Sequence, residues 1–133
     1  MAGIPGGESL HKLVFAVLEH TVKELTEGRT VQPALIAQKG NGDSTITRYE
    51  ATTTEGGVTA ARKGAGGSGA ERVAVRWDGM VDTGGEQHHA VYVLAQEVGQ
   101  PRAHVFIQRH SAPGAAFELI GRPGYLGEQA PML

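Results

Sequence analysis

With 133 residues, 40% of them hydrophobic and 20% charged, the chain has the size of one domain and neither the low hydropathy nor the charge excess of disorder. Its 14 acidic and 12 basic residues are scattered along both halves for a net charge of -2, which argues against the clustered Lys and Arg on which nucleic-acid binding depends. No apolar run approaches the roughly 20 residues that cross a bilayer, the amino terminus lacks a basic leader, and the absence of cysteine excludes disulfides, thiol catalysis and thiolate metal sites. A cytoplasmic protein without membrane attachment is the expectation.

From Ser9 to Glu27, Leu10, Leu13, Val14, Val17, Leu18 and Leu25 recur at helical spacing, while Lys12, Glu19 and Lys23 point the other way. This predicts a long amphipathic helix with Ser9 as N-cap and Gly28 as its left-handed stop. Phe15 and Val22 widen the apolar stripe, which suits packing on a sheet. Ala34 to Lys39 and Ser44 to Ala51 flank Gly40-Asn41-Gly42-Asp43, a hairpin signal in which both Asn41 and Gly42 would take positive φ. Thr52 to Lys63 allows a short second helix capped by Thr54, weakened by Gly56 and Gly57, and Gly64 to Gly69 reads as a flexible loop.

The stretch from Arg72 to His110 is the most regular. Val73, Val75 and Trp77 alternate with Ala74, Arg76 and Asp78, a Gly84-Gly85 turn follows, and His88 to Glu97 alternates again. That turn sets Trp77 opposite Tyr92 and Val75 opposite Leu94. A turn at Gly99-Gln100 then sets Leu94 opposite Val105 and Tyr92 opposite Ile107. A last strand is expected at Phe117 to Ile120 after a loop from Ser111 to Ala116, with residues 1–8 and 122–133 as irregular termini of the single domain 1–133. The fold expected is α+β, an antiparallel sheet of about five or six strands with the long helix on the face of Val73, Val75, Trp77, Leu94 and Val105.

The opposite face would carry Arg76, Asp78, Met80, His89, Val91, Val93, His104, Phe106, Gln108 and His110, a mixture of apolar and ionisable groups. Arg76, His89, Val91, Val93, His104, Phe106 and His110 are therefore the candidate ligand-binding or interface residues. The first reading is a non-catalytic binding or interaction domain, forming a homodimer through that face or the sheet edge and open to a small molecule or protein partner. The alternative is a small enzyme, or a small-molecule or metal-binding protein, using the same face as a pocket. His89 would lie opposite His110, close enough for a shared ion, but His104 sits roughly 20 Å along the strand from His110, so no three-histidine site forms. No cofactor or metal is expected.

Other motifs resolve into structure. Gly64 to Gly69 has the letters of a dinucleotide fingerprint, but the strand follows it where it should precede it. Ser9 and Lys12 have the spacing of the Ser-x-x-Lys acyl-transfer motif without its companion elements. Asp78 and Asp82 lie about 13 Å apart along a strand, too far for an acid-base couple. The overall pattern resembles that of small bacterial single domains, a resemblance that carries no catalytic residue with it.

Overall fold

A computed structural model of the chain describes residues 7–112 and 117–133. Two helices and one six-stranded sheet follow one another as α1 (Glu8–Thr26), β1 (Ala34–Gln38), β2 (Ser44–Arg48), α2 (Thr54–Gly66), β3 (Arg72–Thr83), β4 (Glu86–Glu97), β5 (Ala103–His110) and β6 (Leu119–Gln129). The sheet order is β2-β1-β3-β4-β5-β6 and every pairing is antiparallel, giving the expected α+β architecture.

The apolar stripe of α1 is buried as its spacing requires. The helix ends at Gly28, whose φ of 76° lets its N–H reach the Leu25 carbonyl while Arg29 N–H reaches that of Glu24, the paired closure of a Schellman stop. Its start differs from expectation. Gly7 is the N-cap and makes no side-chain capping bond, and Ser9 already lies in the first turn behind Glu8. The proposed irregular segment 1–8 otherwise lies outside the described residues.

The registers read from alternation are the observed ones: Trp77 pairs with Tyr92, Val75 with Leu94, Leu94 with Val105, Tyr92 with Ile107, and His89 with His110. Gly84 and Gly85 both take positive φ, 61° and 87°, as a two-residue turn matched to strand twist demands. The β1–β2 connection is longer than a two-residue turn. Among the described residues positive φ is confined to glycine, so Asn41 does not adopt it; Gly42 alone does, at 94°, and Asn41 instead accepts a hydrogen bond from the Asp43 N–H through its side chain.

Three further expectations are corrected. First, α2 runs to Gly66, beyond the glycines thought to break it, and is capped by the Thr53 hydroxyl, which accepts from the Gly56 N–H at 3.0 Å. Its small residues are the reason it forms here: Gly57, Ala61 and Ala65 are buried against the sheet, and a Cβ at Gly57 would stand 2.7 Å from Pro33 Cγ and 3.1 Å from the Tyr49 carbonyl oxygen. Only a glycine allows that approach. Second, the segment 122–133 is no irregular terminus: β6 carries on to Gln129, paired with β5 through two register shifts, with Gly121 and Gly127 at positive φ. Bulges absorb the glycines and Pro123 that argued against a strand. Beyond it, the Met132 and Leu133 N–H groups donate to the buried Gln96 side chain at 2.6 and 3.0 Å.

Third, α1 covers the other face. Its stripe packs on Ile36, Ala74, Val91, Val93, Ala95 and Phe106, whereas α2 and Met132 cover Leu35, Val73, Val75, Leu94 and Val105. Strand phase identifies which residues share a face; both faces are apolar here, and phase alone does not assign a helix to either.

Candidate functional site

The face beneath α1 holds most of the candidate residues as interior. Val91, Val93 and Phe106 are core, with Phe106 1% exposed and its ring in edge contact with His11 and Tyr125. The helix supplies the cover that a second subunit was expected to provide, so the ground for an interface on this face is gone. His104 is buried, its Nδ1 2.9 Å from the Tyr125 hydroxyl.

His110 is buried and its imidazole bridges Asp78 Oδ1, 2.8 Å from Nε2, and the Ser111 carbonyl oxygen, 2.6 Å from Nδ1. A carbonyl oxygen only accepts, so Nδ1 carries hydrogen, and Nε2 faces a carboxylate. His89 stacks its ring on His110 with centroids 5.6 Å apart. With both nitrogens of His110 engaged, the pair is not arranged as two ligands of one ion. Among the described residues no group of three or more His, Asp or Glu is placed to hold a metal.

Arg76 is fully buried. From β3 its Nη1 donates to Glu24 Oε1 at 2.8 Å and to the Thr21 hydroxyl at 3.1 Å, and its Nη2 to Glu24 Oε2 at 3.4 Å. Among the described residues its Nε–H has no hydrogen-bond partner. His20 Nε2 lies 2.9 Å from Glu24 Oε1, and Arg48 Nη2 from β2 lies 3.5 Å from the same oxygen. Burial by itself would push the Glu24 carboxyl up; the hydrogen bonds and charge of Arg76, with the charges of His20 and Arg48 added, outweigh it and hold the group below its ordinary value.

This network floors a groove of about 470 Å³ between α1 and the β1–β2 hairpin. One wall is the α1 stripe of Lys12, Ala16 and His20 with Leu13 and Val17 beside it; the other is Ile36, Gln38, Ser44, Thr45 and Ile46, and Arg76 lies at the base. Among the described residues that line it, three side chains are basic and none is acidic. Ala16 makes the room, because a methyl stands between Lys12 and His20 on successive turns. Among the sequence candidates only Arg76 belongs to this groove. Lys12, His20 and Glu24 went unrecognised, though the one available signal was a Lys12-Ala16-His20 row at four-residue spacing along the flank of the buried stripe.

A smaller recess of about 290 Å³ lies on the α2 face, lined by Trp77, Tyr92, Leu126 and Arg62 among others. There the Trp77 and Tyr92 rings stack within 3° of parallel, and the Tyr92 hydroxyl donates to the Met80 carbonyl at 2.7 Å. None of the described helices is long and apolar enough to cross a membrane. No family model, curated protein or solved structure matches this chain.

Proposed function

We propose that the chain is a non-catalytic binding domain that works as a homodimer in the cytoplasm, and that the groove between α1 and the β1–β2 hairpin takes an anionic amphiphile. The observation that carries this reading is the lining itself, with three basic and no acidic side chains among the described residues, beside an apolar wall. Glu24, the buried acid beneath the groove, is engaged by Arg76, Arg48 and His20, and Lys12 at the rim meets Glu8 at 3.5 Å in a fully solvated i,i+4 contact that an incoming anion can replace. An acidic head would meet Lys12 and His20 while an apolar body lay along Leu13, Val17, Ile36 and Ile46. The Asp78–His110 pair supports a non-catalytic reading, because the imidazole is buried and bonded at both nitrogens.

The test is a titration with the fluorescent anion anilinonaphthalene sulfonate, followed by competition with decanoate and decanol. Saturable binding displaced by decanoate well before decanol is the expected result. Ala16→Phe, which fills the groove, and Lys12→Glu, which reverses the rim charge, should each weaken the probe about tenfold or more, the equivalent of one lost charge-assisted contact. Parent-like binding by both folded variants would sink the reading.

A further inference from the structure

β2 forms one edge of the sheet and all five of its residues are exposed. In an antiparallel ladder, successive residues turn their backbone groups alternately toward and away from the neighbouring strand. The Lys39 N–H donates to the Asp43 carbonyl and the Tyr49 N–H to the Pro33 carbonyl, each at 2.8 Å. Residues two apart share that phase, so Thr45 and Thr47 address β1. Ser44, Ile46 and Arg48 then direct their N–H and C=O groups outward, away from the sheet.

The two edges are built differently. β6 is interrupted by register shifts, holds Pro123, and takes positive φ at Gly121 and Gly127, devices that blunt an edge. β2 is Ser-Thr-Ile-Thr-Arg, β-branched through its middle, with neither bulge nor proline. At its centre stands Ile46, 41% exposed.

We propose that two copies pair antiparallel through β2 about a two-fold axis at Ile46. Hydrogen bonds form across such an axis only when outward residues of one strand meet outward residues of the other. Centring on Ile46 meets that condition along the whole strand: Ile46 faces the partner's Ile46, and Ser44 faces the partner's Arg48. Any other two-fold register aligns fewer of the three outward residues. Main-chain pairing of this kind is strand addition with an identical strand, and the interface is self-complementary by symmetry.

The pairing also completes the binding groove. Ile46 and Ser44 line it from β2, the strand beyond which the sheet stops. With two copies paired, the partner's Ile46 continues the apolar wall past that limit, and the two grooves run side by side across the axis. This inference rests on the reading of the chain as a self-associating binding domain, and it names the surface and the second copy's contribution.

The experiment is mass by light scattering over a dilution series, with helical circular dichroism as the folding check. The parent should have twice the 14.0 kDa chain mass and fall toward a single chain on dilution. Ile46→Pro removes one outward N–H and leaves the β1 ladder intact, and Ile46→Lys sets two like charges on the axis without touching the backbone. Either variant, folded, should have half the parent mass at concentrations where the parent is paired. A parent that is monomeric throughout overturns the proposal, as does a folded Ile46→Lys that stays dimeric. The two readings fail separately: a monomeric parent that binds the anionic probe sinks the pairing alone, and a β2-paired parent that binds none sinks the groove alone.

Discussion

The Glu24 carboxylate on α1 accepts two hydrogen bonds from Arg76 on β3, 52 residues further along the chain, and this contact ties the long helix to the centre of the sheet. A guanidinium and a carboxylate taken out of water together are costly to separate, because losing one strands the other in the interior. Glu24→Ala should therefore destabilise the fold by about 3–5 kcal/mol in urea titrations, whereas a Glu24→Leu, Arg76→Met double variant should recover most of that loss. A double variant as unstable as the single would show that the loss does not come from the stranded charge.

The same pair predicts a pH dependence. The folded state holds the Glu24 carboxyl below its ordinary value, so its contribution is fully present above the unfolded value and is lost as pH falls through the folded one. Unfolding free energy followed from pH 7 into the acid range should drop more steeply for the parent than for Glu24→Gln, which has no proton to take up. Parallel curves would refute the assignment.

Phe106 is enclosed by α1, His11 and Tyr125 within one chain. Phe106→Ala should cost about 3–5 kcal/mol of stability, the range for a truncated core aromatic. The particle mass of the folded variant should match the parent at every concentration. A variant of unchanged stability but altered mass would place Phe106 at a subunit contact instead.

Gly57→Ala opposes two effects of known size. Alanine in a helix gains up to about 1 kcal/mol over glycine, but overpacking typically costs 1–3 kcal/mol. The added methyl would press on the Pro33 ring and on the Tyr49 carbonyl, and backbone yields poorly. The net expectation is a lower thermal midpoint; a stabilised variant would mean that α2 sits further from the β1–β2 hairpin.

Asp78→Ala removes the acceptor facing His110 Nε2 in the interior and should cost about 1–3 kcal/mol. Asp78→Asn keeps an oxygen in place and should cost less. Equal losses in chemical denaturation would indicate that the carboxylate charge, and not the hydrogen bond, is what the site needs.

The strand registers were legible because they follow from local rules: alternation gives phase, and the Gly84-Gly85 dipeptide fixes where the chain reverses. What alternation leaves open is any contact between distant elements. Val91 and Phe106 on one face and Leu94 and Val105 on the other are equally apolar, so the helix could be assigned to either. Arg76 stands out as a cation among valines, whereas its partner Glu24 sits one heptad beyond Val17 on the buried stripe of α1, where a pattern traced through apolar residues passes over a carboxylate. The glycines of α2 and the glycines and Pro123 of β6 misled in the same way. They signal irregular backbone when read alone, and become close-approach points and bulges once a second element lies against them.

The unlike construction of the two sheet edges also limits what the chain can assemble into. A sheet with two receptive borders can recruit copies at both, and growth by that route has no natural end, as in fibrils. Here the bulged, glycine-bearing border at β6 offers a poor template for a further strand. Any joining of sheets through β2 therefore uses up the one receptive border of each chain and stops at two, so concentrating the protein should yield a closed particle of fixed size and no filament.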